Sequence, residues 1–182
     1  MKKIALFSAG LMAGIILTLI VLLIFSSISE QIRLRAFRDK GEYTGQLLRD
    51  FELKSLDDGK VWRLKNLKGK VSLIKIWSPD CEGCMVEMER LNELYNSTSR
   101  DKLIILGLPI SHDQKILEDT ISQYQIHWPQ LYTPDPYNNE LIRFLNTYQV
   151  PSYWIVDKTG VIIDADLKIF DEVEKSLGFL LN

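Results

Sequence analysis

Apolar residues fall along this chain in three distinct patterns. Ile4 to Ser29 carries no charged residue over 26 positions, and about 20 apolar residues are enough to cross a bilayer. Residues 1–29 are therefore expected to form an N-terminal membrane anchor, with removal after Ser29 left open because Ser27 and Ser29 are spaced like a cleavage site. Residues 30–46 mix charge with Ile32, Leu34 and Phe37 and end in Gly41 and Gly45, the pattern of a juxtamembrane linker. The folded domain is expected over 47–182.

In that domain a second pattern, compact and mostly apolar, covers Val71 to Trp77 and Leu103 to Leu108. Runs of this length bounded by Gly, Pro or charge read as strands buried on both faces, and both are expected at the centre of a sheet. The third pattern is helical. Met85, Met88, Leu91, Leu94 and Tyr95 recur at three- and four-residue steps while Glu87, Glu89 and Glu93 take other faces. Further helices are predicted over Asp113 to Tyr124, Tyr137 to Tyr148 and Phe170 to Leu181. Turn residues Asp57-Asp58-Gly59 and Asp157-Lys158-Thr159-Gly160 predict two hairpins, the first an N-terminal one over 51–64 and the second over 152–164. Strand, helix, strand, helix, hairpin and helix in that order give an α/β fold, a mixed sheet with helices on both faces.

Charge narrows the partners. Residues 41–182 carry 16 Lys or Arg against 22 Asp or Glu, an acidic balance that argues against nucleic acid. Lys2 and Lys3 precede the apolar run and Arg33, Arg35, Arg38 and Lys40 follow it, so basic residues do not orient the anchor.

Only two cysteines occur, Cys81 and Cys84, three positions apart. That excludes a scaffold of several disulfides and leaves a redox pair or half of a metal site. A junction between a buried strand and an amphipathic helix puts Cys81 beside unpaired backbone N–H groups, which favour the thiolate, with Cys84 one turn on as the resolving sulfur. A structural zinc site would need two more ligands, and the only histidines, His112 and His127, lie far apart in sequence. The alternative of another class is a copper-binding metallochaperone, in which two thiolates and one imidazole hold the metal. The tight cysteine spacing and the lack of any histidine after His127 count against it. The redox reading needs no metal or organic cofactor.

Phe51-Glu52-Leu53, Leu64-Lys65-Asn66-Leu67-Lys68-Gly69-Lys70, Trp77 to Cys84, Val150-Pro151 and Val156-Asp157-Lys158-Thr159-Gly160 together resemble the TlpA, ResA and DsbE group of membrane-anchored, thioredoxin-like thiol-disulfide oxidoreductases. The resemblance implies a thioredoxin-like fold, a cis Pro151 facing the cysteines, and a substrate side made by Pro151, Val150 and Trp77. It also implies a single-pass protein with its catalytic domain on the extracytoplasmic side. Its partners would be a disulfide-containing protein, apocytochrome c among the candidates, and a membrane electron donor of a thiol-reducing pathway. Three positions depart from the pattern. Asp80 stands where Trp is common, Gly83 where Pro is common, and Lys75 where thioredoxins bury an aspartate six residues before the first cysteine. Glu82, between the cysteines, matches an acidic residue of some reductive members and is the candidate for moving protons, against the plainer reading of a solvated first-turn glutamate.

Overall fold

The structure is a computed structural model that describes residues 18–25, 43–147 and 149–181. Residues 18–25 are helical and expose Leu19 through Phe25. The rest of the expected anchor and most of the expected linker lie outside the described residues. Among the described residues no helix is long and apolar enough to cross a membrane. Tyr43–Asn182 form a compact unit of their own.

That unit begins with Tyr43, whose ring meets those of Phe144 and Trp154 edge-on at 5.9 and 5.1 Å. Strands β1 (Leu53–Ser55) and β2 (Val61–Trp62) form the first hairpin. Its turn closes because Gly59 takes a positive φ of 67° and the Asp58 carboxylate accepts the Lys60 N–H at 2.9 Å. Strand β3 (Val71–Trp77) is buried at every position, as its unbroken apolar run requires. Helices α1 (Glu82–Val86) and α2 (Met88–Ser97) follow, then β4 (Leu103–Pro109), α3 (Gln114–Gln123), β5 (Leu131–Tyr132), α4 (Glu140–Leu145), β6 (Ser152–Val156), β7 (Ile162–Leu167) and α5 (Phe170–Leu181). Side-chain caps set two helix starts. Asp113 accepts from the Ile116 N–H at 3.1 Å, and Asn139 accepts from the Leu141 and Ile142 N–H groups at 2.9 and 3.2 Å.

The main sheet runs in the order β4-β3-β6-β7, with β4 parallel and β6 antiparallel to β3, and a second sheet runs β2-β1-β5. One face of the main sheet, with Ile74, Ile76, Leu106 and Trp154, packs under β1, β2 and α4. The other, with Leu73, Trp77, Ile105 and Tyr153, packs under α2, α3 and α5 through Met88, Leu91, Leu117, Phe170 and Val173. Each fully buried Leu, Ile or Phe contributes about 1.5–3 kcal/mol over leaving it exposed, so these two layers hold the fold. The α/β architecture and both hairpins are as expected.

Four details differ. Strand β4 ends its sheet instead of lying inside it, although an isolated parallel bridge from Gly107 to Gln130 continues toward β5 and buries that edge. The first long helix is broken at Glu87, which ends α1 and begins α2. The helix expected from Tyr137 starts at Glu140 after a short 3-10 turn over Pro136–Asn138, because Asn139 caps it and Pro136 opens the preceding turn. Strand β5 had no sequence signal: two residues are too few to show a period.

Candidate active site

β3 ends at Trp77, and Ser78, Pro79 and Asp80 turn the chain into α1. The turn is closed by the Cys81 N–H donating to Ser78 O at 3.1 Å. Cys81 is the N-cap of α1 with extended backbone, and its sulfur accepts the Cys84 N–H at 3.1 Å. A sulfur that accepts a backbone amide at a helix start is stabilised most when it is a thiolate. The two cysteines are joined as a disulfide with their Cα atoms 5.2 Å apart. Cys81 is half-buried, whereas Cys84 is fully buried in the core layer that holds Trp77 and Met88. An incoming group therefore reaches Cys81 first.

The Val150–Pro151 peptide is cis, as the resemblance implied. Pro151 lies directly across from the redox turn, because a Cβ placed on Gly83 would sit 3.9 Å from Pro151 Cδ. Gly83 thus keeps the turn bare on the side that faces Pro151. Val150 is half-buried and touches both core layers. It also borders a cleft of about 440 Å3 along the Ser78–Asp80 turn that leads into Cys81, together with Pro79, Asp80, Ile110, His112 and Tyr137.

Trp77 requires a correction. It is fully buried, and its Nε1 donates to Gln130 Oε1 at 2.9 Å while Gln130 Nε2 donates to Trp128 O at 2.9 Å. The last residue of a strand buried on both faces has no surface to offer a substrate, so Trp77 supports Cys84 from below. Glu82 is exposed on the first turn of α1. Asp80 is exposed at the rim of the cleft.

Lys75 has no solvent exposure. It shares the face of β3 that carries Leu73 and Trp77, under the helix pair, and is aligned with Tyr153 on β6. Its Nζ donates to Glu87 Oε2 at 3.2 Å and to the Tyr153 hydroxyl, and that hydroxyl donates to the same carboxylate oxygen. The ammonium also lies 4.3 Å from the Tyr153 ring centroid. Burial pulls the Lys75 pKa down to about 8 against the opposing pull of Glu87. Burial, and then the hydrogen bond and charge of Glu87, push the Tyr153 phenol upward. Lys75 and Glu87 form a buried ion pair capped by the Tyr153 hydroxyl. Its ammonium is fully engaged and is not free to attract a thiolate, as an unpaired lysine there would be. Sequence reasoning missed Glu87, Tyr153 and Gln130. Lys75 was the available signal, since a lysine inside an apolar strand must find a buried anion.

The histidines do not join the cysteines. His112 is exposed, with Nδ1 3.0 Å from Pro134 O, and His127 borders a different cleft with Glu118 and Trp128. Among the described residues no group of three or more His, Cys, Asp or Glu side chains is arranged to hold a metal ion. The copper alternative therefore finds no support in this geometry.

Comparison with known proteins agrees with the arrangement. A thiol-disulfide oxidoreductase ResA of Bacillus cereus is 27% identical over 121 residues, covering 65% of this chain and 65% of that protein. ResA of Geobacillus thermodenitrificans is 26% identical over 149 residues, or 80% and 82% of the two chains. The chain spans about two thirds of the length of the Bacillus relatives, 60 to 65%. The thioredoxin domain of a thiol-disulfide oxidoreductase from Bacteroides vulgatus superposes with a TM-score of 0.66 at 22% identity, covering 75% of this chain and 97% of that one, which establishes the thioredoxin-like fold. With residues 44–165 matching the profile of the AhpC/TSA family across the sheet, the redox turn and the Pro151 loop, the chain belongs to the AhpC/TSA family.

Proposed function

We propose that this protein is a thiol-disulfide oxidoreductase that reduces disulfides in exported polypeptides, apocytochrome c among them, from an N-terminal anchor on the extracytoplasmic side of a membrane. The single observation that carries the chemistry is the asymmetric pair: Cys81 half-exposed at a helix start with Pro151 across from it, and Cys84 buried one turn on. The ResA names of the relatives support the same chemistry, and the uncharged run from Ile4 to Ser29 supports the anchor.

In the reductase direction the reduced protein begins with a Cys81 thiolate. It attacks one sulfur of the substrate disulfide, forming the Cys81–substrate bond while the other substrate sulfur leaves and takes a proton. Cys84, after losing its proton, attacks Cys81 and releases the second substrate thiolate. Two electrons pass to the substrate, and the protein is left with the Cys81–Cys84 disulfide present in the structure. A dithiol donor at the membrane then restores the reduced pair.

Replacing Cys84 by Ser removes the resolving sulfur, so mixed disulfides with partner proteins should accumulate on Cys81 and be recoverable on non-reducing gels. Cys81→Ser should trap none. Equal trapping by both variants would overturn the assignment of Cys81 as nucleophile. Direction is read from a redox titration of the pair, where a potential near or below about −270 mV marks a reductase. For the anchor, full-length protein should stay in the membrane through a carbonate wash, and release of a form beginning at Glu30 would show cleavage instead.

A further inference from the structure

The segment that presents Val150 and Pro151 is held by a second set of charges, Asp166 in β7 and Lys168 just after it. Between β6 and β7 the register slips: Tyr153 pairs with Leu167 but Ile155 pairs with Asp164, so β7 has one residue more than β6 over this stretch. That is a β-bulge, and such irregularities re-aim side chains. Within it Asp166 has a φ of 54°, a left-handed conformation that is unfavourable for most residues and that, after Gly, Asn and Asp tolerate best.

The bulge directs the Asp166 carboxylate into the loop. Its Oδ1 accepts from the Thr147 hydroxyl at 2.9 Å, from the Ser152 hydroxyl at 2.7 Å and from Lys168 Nζ at 2.6 Å. Thr147 and Ser152 are buried residues that stand before and after Val150-Pro151, so one oxygen joins both flanks of the segment. Ser152 is itself oriented, since its oxygen accepts the Trp154 Nε1–H at 3.2 Å. Lys168 balances the carboxylate and also donates to the Gln149 carbonyl at 2.9 Å, one residue before Val150. Strain held at one backbone position for the sake of three converging donors is the mark of a site kept in shape for use.

We propose that Asp166, with Lys168, is the positioning device of the substrate loop: it holds the backbone of Val150 and Pro151 beside the Cys81–Cys84 turn so that an incoming polypeptide meets a preformed edge. Asp166 is a positioning residue and touches no reacting atom. The inference rests on the oxidoreductase reading, and it predicts that polypeptide substrates depend on the clamp while small reagents that need only Cys81 do not.

The test uses the full chain and two replacements that accept the left-handed backbone. Asp166→Gly removes the carboxylate without straining the chain, and Asp166→Asn keeps one acceptor oxygen but loses the charge. With insulin as the protein disulfide and dithiothreitol as the reductant, Asp166→Gly should raise KM about tenfold, the scale of one lost hydrogen bond to a charged group. kcat should change less than KM, and Asp166→Asn should fall between Asp166→Gly and wild type. Alkylation of reduced Cys81 by iodoacetamide should keep its wild-type rate in both. Amide exchange of a peptide covering 149–152 should quicken about tenfold in Asp166→Gly, with β3 unchanged. An unchanged KM, or an equal loss in the alkylation rate, overturns the proposal. Unchanged exchange over 149–152 also overturns it, whether or not the wild type turns insulin over. A wild type with no turnover, beside faster loop exchange in Asp166→Gly, overturns the oxidoreductase reading and leaves the clamp standing.

Discussion

Two ion pairs flank the redox turn, and they differ in how much water reaches them. Beneath the helices, the Lys75 and Glu87 side chains keep 0% and 16% of their exposure; beside the loop, Lys168 and Asp166 keep 36% and 43%. Each pair joins two stretches of chain that the site needs in register. The first ties β3 to the break between α1 and α2, and the second ties β7 to the segment before β6. A buried charge that loses its partner cannot be hydrated in place, whereas a half-exposed one is rescued by solvent. The buried pair should therefore govern stability and the outer pair should govern placement.

The largest test removes one member of the buried pair. Glu87→Gln leaves the Lys75 ammonium enclosed without a counter-ion and should cost about 3–5 kcal/mol. At about 2–4 °C per kcal/mol for a domain of this size, Tm in thermal melts should fall by roughly 10 °C. The double variant Lys75→Met, Glu87→Gln should recover a large part of that loss. A single variant that melts with the wild type would remove the distinction between the two pairs.

A purely steric variant gives the next effect and serves as an uncharged control. Gly107 lies against Gln130, and a Cβ there would overlap the Gln130 side-chain oxygen that accepts from Trp77. Gly107→Ala should cost about 1–3 kcal/mol in urea titration, with the same loss at pH 7 and pH 9.

The pH dependence sharpens the comparison further. The folded pKa of Lys75, about 8, lies below the ordinary 10.5, so between these values the unfolded chain binds the extra proton. Stability contributed by this group then rises with pH from 8 upward, and the burial penalty is fully present below pH 8. Tyr153 opposes this above pH 10, where the unfolded phenol ionises and the folded one stays protonated. Urea midpoints of the wild type, taken relative to those of Lys75→Met, should increase from pH 8 to 10 and level off beyond, because Tyr153 is common to both proteins and cancels. A flat difference would mean that Lys75 is not desolvated as the structure places it.

The smallest expected effect is on the outer pair. Lys168→Met should change the unfolding free energy by no more than about 1 kcal/mol, a quantity that chemical denaturation can bound. A loss matching that of Glu87→Gln would show that the Asp166 network holds the fold and not merely the loop.

Much of this architecture was legible in the order of residues because the signals were local. The Val71 to Trp77 run, the three- and four-residue recurrence from Met85 to Tyr95, and the Asp-Gly and Thr-Gly turns each act over a few residues, and each appears where expected apart from the helix break at Glu87. The cysteines were legible for the same reason, and Pro151 through resemblance. What the sequence hid was long-range. Glu87 reads as one of several acidic positions on a helix until Lys75 is seen beneath it, and Asp166 lies past the hairpin expected to end at 164, unmarked until the register slip turns it toward Thr147 and Ser152. Trp77 was misplaced because a motif records adjacency to Cys81 and says nothing about which way a strand-end side chain points.

The steep difference in access between two sulfurs one helical turn apart has a consequence for damage. A small oxidant such as peroxide can meet the half-exposed Cys81 of the reduced protein but not the enclosed Cys84. The sulfenic acid formed at Cys81 then has a thiol one helical turn away with which it condenses to the disulfide and water, a route that competes with further oxidation to sulfinic acid, which is irreversible for most proteins. Burying one sulfur of the pair thus favours the disulfide as the product of oxidative attack, and a dithiol donor of lower potential can undo it.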